Sequence, residues 1–170
     1  MDPELRSLSP TAIENVYHFG HVVPDLRSAM DAFGRRLQLT WSTPFQMESG
    51  FERADGEPDS DEVRIALSAE GPPFLELIEV VPRPGSIFAE PAGGGLHHVG
   101  FYAERWRDEV ARLTSEGMEL ERWGPGVAFV RDATLGIRFE VVSFKGRDFL
   151  TRILSGEMGD AHPLRERPGG

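Results

Sequence analysis

The chain predicts an α+β fold built from two tandem βαβββ modules, and three observations carry that prediction. The segments YHFGHVVPDL (17–26) and HHVGFYAERW (97–106) align without gaps. His18 then falls on His98, Gly20 on Gly100, Val22 on Tyr102 and Leu26 on Trp106, each pair 80 residues apart. Each segment runs from a strand-like stretch into one of helical periodicity. Each helix is followed by three strand-like runs, the last carrying a glutamate: Glu76 in the first repeat and Glu140 in the second.

In chain order, MDPELRSLSPTA has early acids and no apolar h-region, so residues 1–13 read as a flexible leader rather than a secretory signal. The first module spans 14–82. Its helix is PDLRSAMDAFGRRLQL, with Leu26, Ala29, Met30, Phe33 and Leu37 at helical spacing. Its later strands are expected at LTWSTPF (39–45), EVRIALS (62–68) and FLELIEVV (74–81). The two glutamates are only 64 residues apart, so the first module holds 16 extra residues. The polar run ERADGEPDSDE (52–62) is the expected insertion, read as a solvated loop.

A Pro/Gly-rich linker follows at 83–95, with one short helical turn. The second module, 96–144, has the helix AERWRDEVARLTSEG, with Trp106, Val110 and Leu113 on one stripe and Gly117 as its C′ stop. Its strands are MELERW (118–123), VAFVRD (127–132) and IRFEVVSF (137–144). Residues 145–170 read as a helix, GRDFLTRILSGE, and a polar tail.

Composition bounds the function. An apolar content of 39% against 27% charged residues is that of an ordinary globular protein. The absence of cysteine rules out disulfides, thiolate metal ligation and a cysteine nucleophile, so any metal is held through nitrogen and oxygen. A net charge of −10 argues against nucleic acid or an anionic membrane as partner. No apolar run approaches the roughly 18 residues of a membrane span, and a cytoplasmic protein is the expectation.

Strand alternation sorts the candidate site residues by face. His18, Gly20 and Val22 share one face; Phe19, His21 and Val23 take the other. His98, Gly100 and Tyr102 share a face, so His98 is expected toward the site and His97 on the far side. A carboxylate in an apolar strand costs several kcal/mol unless it meets a cation or partner. Two histidines and two glutamates at equivalent places in two repeats, His18, Glu76, His98 and Glu140, supply N₂O₂ ligation. That set suits a divalent ion (Zn²⁺, Ni²⁺, Co²⁺, Mn²⁺ or Fe²⁺) with positions left for water. Trp41, Phe45, Tyr102 and Phe129 are candidate walls of a substrate groove.

HFGHVVPDLRSAMDAFGRRLQL, FLELIEVVPRPGS, GLHHVGFYAERWRDEVARLTSEGMEL and VAFVRDATLGIRFEVVS resemble the vicinal oxygen chelate superfamily. That superfamily includes glyoxalase I, methylmalonyl-CoA epimerase, extradiol dioxygenases and bleomycin- and fosfomycin-resistance proteins. The likeness runs from about residue 15 to 144 and is nearest to epimerase-like and glyoxalase-like members. It implies two modules forming a curved mixed β-sheet groove around a metal, with His18, Glu76, His98 and Glu140 as ligands and a homodimer as assembly. It also implies a small substrate with vicinal oxygens and an isomerase, epimerase or lyase reaction at a carbon next to a carbonyl. Glu140 is then the ligand that doubles as base, with Glu76 second.

One departure stands out. Where the epimerase has a second acid/base glutamate, the alignment puts Arg64, which cannot abstract a proton at neutral pH but suits a substrate anion. Glu62 takes that place only if the register slips by two. Arg64, Tyr102, Phe45 and Phe129 are the expected substrate contacts. The alternatives are an Fe(II) dioxygenase using His18, His98 and Glu140, and a non-catalytic small-molecule binder or resistance protein.

Overall fold

The structure, a computed structural model, describes residues 15–89, 91–157 and the backbone of 162–163. The expected leader and most of the polar tail lie outside the described residues. The order of elements occurs twice. The first set is β1 (Val16–Val22), α1 (Leu26–Leu37), β2 (Phe45–Arg53), β3 (Pro58–Leu67) and β4 (Phe74–Val80). The second is β5 (Gly95–Tyr102), α2 (Trp106–Ser115), β6 (Glu119–Gly124), β7 (Val127–Asp132) and β8 (Ile137–Val142). A helix, α3 (Phe144–Leu154), and a two-residue strand, β9 (His162–Pro163), follow.

The fold is mixed α+β, and its sheet closes on itself. Within each set the first strand lies parallel to the last, β1 to β4 and β5 to β8. The two sets join through antiparallel β1 and β5 on one side. On the other, β2 pairs with β6 at Glu52–Trp123 and Arg53–Arg122, and also with β3. Eight strands therefore form a ring, β1-β4-β3-β2-β6-β7-β8-β5, with β9 flanking β2 at Phe45 and Gln46.

Each helix has a distinct packing role. Leu26 of α1 is buried with Val23, Ala66 and Leu77 on the outside of the first half. Trp106 and Leu113 of α2 pack on Phe101, Val130 and Val141 outside the second. The third helix packs Phe149, Leu150 and Ile153 against Phe45, Ile65, Ile78 and Phe129 on the inner face. Burial of each such side chain stabilises the fold by about 1.5–3 kcal/mol. Ser143, whose side chain accepts from the Gly146 N–H, starts α3 and ends β8 at Val142, short of the expected residue 144. Among the described residues, no helix is long and apolar enough to cross a membrane.

Two expectations for the first half are corrected. Residues 39–45 do not form a strand: Trp41 makes only an isolated bridge to Ser68, and β2 begins at Phe45, after Pro44. Nor is 52–62 a solvated loop. It is the end of a long β2–β3 hairpin that turns at Asp55-Gly56, where Gly56 has φ 84° and Asp55 Oδ1 accepts from the Glu57 N–H. Asp59 and Asp61 in β3 are buried and face Arg83, with Arg122 also bonded to Asp59. Asp59 and Asp61, which read as solvated, are internal ion-pair partners that fasten the hairpin to Arg83 of the linker and, through Asp59, to Arg122 of β6.

Candidate metal centre

The centre is built across the β1–β5 seam. His18 lies opposite Gly100 and His98 opposite Gly20. A Cβ added at Gly20 would sit 2.0 Å from the His98 ring, and one at Gly100 would sit 2.1 Å from the His18 ring. Each glycine clears the space its partner's imidazole fills. The seam also carries two register shifts. The pairing steps from Val16–Phe101 to His18–Gly100, leaving Tyr17 as an extra residue; it steps again from Gly20–His98 to His21–Leu96, leaving His97 extra.

The second shift corrects the expected position of His97. In a regular strand His97 would point away from His98, but an extra residue breaks the alternation. His97 and His98 are both buried, at 4% and 2% exposure, while Leu96 is 57% exposed. The His97 ring packs on Phe88 and Phe129, and its Nδ1 lies 2.8 Å from His98 Nδ1. His21 does lie on the helix side, edge-on to Phe33 of α1.

Four side chains from β1, β4, β5 and β8 converge within this one chain. His18 Nε2 lies 2.9 Å from His98 Nε2, 2.8 Å from Glu140 Oε2 and 3.6 Å from Glu76 Oε2. His98 Nε2 lies 3.4 Å from Glu76 Oε2 and 3.6 Å from Glu140 Oε2. Donors bonded to one ion at about 2.0–2.2 Å are spaced roughly 3 Å apart, and the His18, Glu76 and His98 atoms are close to that spacing, with Glu140 beside His18. His18, Glu76 and His98 alone form a buried group able to hold a metal ion. Burial opposes protonation of His18, yet the Glu140 and Glu76 carboxylates raise its pKa above the ordinary imidazole value. Burial likewise opposes ionisation of Glu140, and His18 overrides it, holding that carboxyl below its usual range.

The quartet borders a cavity of about 370 Å³, into which Glu76, His98 and Glu140 project. Its other walls are largely apolar: Phe45, Met47, Phe51, Ile65, Phe88 and Phe129 from the ring and linker, with Phe149 and Leu150 of α3 across it. Lys145, the only lysine of the chain, is at its edge. Phe45 and Phe129 are thus wall residues. Arg64 is not, because it alternates with Val63 and Ile65, which face the cavity. It bonds Glu79 at 2.8 Å, and Glu79 in turn accepts the Leu26 N–H at the start of α1. Glu62 is exposed and bonded by Gln46. Tyr102 packs on Tyr17, Phe144 and Arg147, and the Trp41 ring N–H donates to the Met30 carbonyl. Sequence reasoning missed His97, the linker's Phe88, Met47 and Phe51 of β2 and the walls from α3. The contribution of Phe88 is marked beforehand only by apolar Ile87 and Phe88 within the Pro/Gly-rich linker.

No curated protein sequence matches the chain. Among solved structures, a hypothetical protein from Bacillus halodurans C-125 is 20% identical, with a TM-score of 0.53 over 75% of this chain and 92% of that one. Methylmalonyl-CoA epimerase from Mycobacterium tuberculosis is 20% identical, with a TM-score of 0.51 over 76% of this chain and 87% of that one. At this identity the likeness is one of fold. The family model of the Glyoxalase/Bleomycin resistance protein/Dioxygenase superfamily matches residues 17–133, more than half of the chain, and the chain belongs to that superfamily.

Proposed function

We propose that the chain is a metal-dependent enzyme that moves a proton at a carbon next to a carbonyl, an isomerase, epimerase or lyase of its superfamily. The convergence of two imidazoles and two carboxylates on one edge of an otherwise apolar cavity carries this reading. His18, Glu76, His98 and Glu140 would hold the metal, which when bound supplies a Lewis acid for substrate oxygens. The cavity suits a compact, largely apolar substrate whose oxygens lie together at one end.

Glu140 is the proposed base. Its side chain is 16% exposed against 9% for Glu76, so it is the more accessible of the two. Arg64, being paired with Glu79, does not replace a missing base; the two carboxylates of the quartet are the only ones lining the cavity among the described residues. Phe45 and Phe129 exclude water around the reacting carbon. The three-ligand dioxygenase arrangement needs Glu76 outside the quartet, and its Oε2 is 3.4 Å from His98 Nε2.

The test is α-proton exchange in D₂O, followed by NMR, with Co²⁺-loaded protein and a panel of small 2-oxo and 2-hydroxy acids and 1,2-dicarbonyls. Exchange is expected for at least one compound, falling by roughly 10²-fold or more in Glu140→Gln. Exchange untouched by that substitution would remove Glu140 from the mechanism. Oxygen uptake with a catechol after Fe(II) loading would favour the dioxygenase.

A further inference from the structure

His97 belongs to none of the roles assigned so far, yet it is buried in direct contact with a metal-ligand candidate. Its Nε2 lies 3.0 Å from the Ile87 carbonyl oxygen, and its Nδ1 lies 2.8 Å from His98 Nδ1. A carbonyl only accepts, so His97 Nε2 carries the proton and donates it. A neutral imidazole has one donor and one acceptor nitrogen, which leaves His97 Nδ1 as acceptor. The proton between the two rings therefore sits on His98 Nδ1, and His98 Nε2 has a bare lone pair. That is the atom aimed at His18, Glu76 and Glu140.

We propose that His97 is a positioning residue that locks His98 in the Nδ1–H tautomer and so presents its Nε2 lone pair to the metal. The relay runs from the linker carbonyl of Ile87 through His97 to His98, and it rests on the metal reading above. The bulge is what makes it possible, since regular alternation would carry His97 to the other face. The two halves of the centre are then unlike. Tyr17, the extra residue of β1, flanks His18 edge-on, but His18 Nδ1 is buried without a hydrogen-bond partner. Only one of the two imidazoles is oriented from behind. Metal-bound histidines generally depend on such outer partners, whose loss weakens metal binding about 10–100-fold.

Two measurements test the relay. In metal-free, ¹⁵N-histidine-labelled protein, two-bond ¹H–¹⁵N spectra should show His98 protonated at Nδ1 and His97 at Nε2. In Co²⁺ titrations, His97→Leu should bind roughly 10–100-fold more weakly than wild type, whereas His97→Asn, whose Oδ1 still accepts from His98, should recover to within about threefold. A wild type that binds Co²⁺ but holds His98 as the Nε2–H tautomer overturns the relay alone, as does unchanged affinity in His97→Leu. A wild type that takes up no Co²⁺ overturns the metal reading, and the purpose assigned to the relay with it. Should His97→Leu not fold, the wild-type tautomer and the Asn variant decide.

Discussion

Gly20 and Gly100 show how much of the centre depends on atoms that are missing. Each faces an imidazole across the seam, and a methyl group there would overlap the ring. Gly20→Ala and Gly100→Ala are each expected to push aside one histidine and weaken Co²⁺ binding at least tenfold, by analogy with the loss of a ligand's supporting contact. Their circular dichroism should match wild type, since alanine is tolerated in strands. Unchanged affinity would mean the rings relax around the methyl. At this scale the sequence was informative: His18, Gly20, His98 and Gly100 could be picked out because the same residue types recur at the same places. His97 could not, because its direction follows from the step in pairing between Gly20–His98 and His21–Leu96, a property of two strands together.

Among the elements, β3 is the one that composition misrepresents. Its outer half alternates Asp59, Asp61 and Val63 inward with Ser60, Glu62 and Arg64 outward, so the strand is regular, but its buried residues begin as acids. Hydrophobic patterning detects only the apolar half, and the rest looks like loop until Arg83 and Arg122 are seen opposite. The same alternation fixes Arg64 on the α1 side, where it steadies Glu79 beneath the helix start. Arg64→Ala should therefore lower stability by about 1.5–3 kcal/mol, as for a hydrogen bond to a charged group, and leave Co²⁺ affinity within about twofold. Urea unfolding and metal titration of one preparation separate the two effects. A large loss of substrate exchange at normal stability would return Arg64 to the cavity.

The molecule as a whole carries an acid sensitivity that originates in its interior. Burial, with His98 and Arg138 nearby, pushes the His97 pKa down to about 2, far below the roughly 6.5 of an unfolded chain. Between those values the unfolded state binds a proton that the folded state refuses, so stability falls as pH falls, by about 1.4 kcal/mol per unit. Metal-free wild type should lose about 2 kcal/mol more than His97→Asn between pH ~6.5 and ~5, read from urea midpoints. The raised pKa of His18 acts in the opposite direction but equally in both proteins, so the comparison isolates His97. Equal losses would mean His97 accepts a proton without unfolding. The βαβββ repeat was legible in the sequence at this scale, but closure of the ring was not, because it depends on the two-residue pairing of β2 with β6.

The β1–β5 seam has a practical consequence. The linker that joins the two halves sits beside the centre, and each half contributes one imidazole and one carboxylate. Cut within that linker, the polypeptide becomes two fragments, each carrying one imidazole and one carboxylate of the quartet. If the quartet holds Co²⁺ as proposed, the fragments fused to two other proteins would report the meeting of those proteins by the colour of bound cobalt.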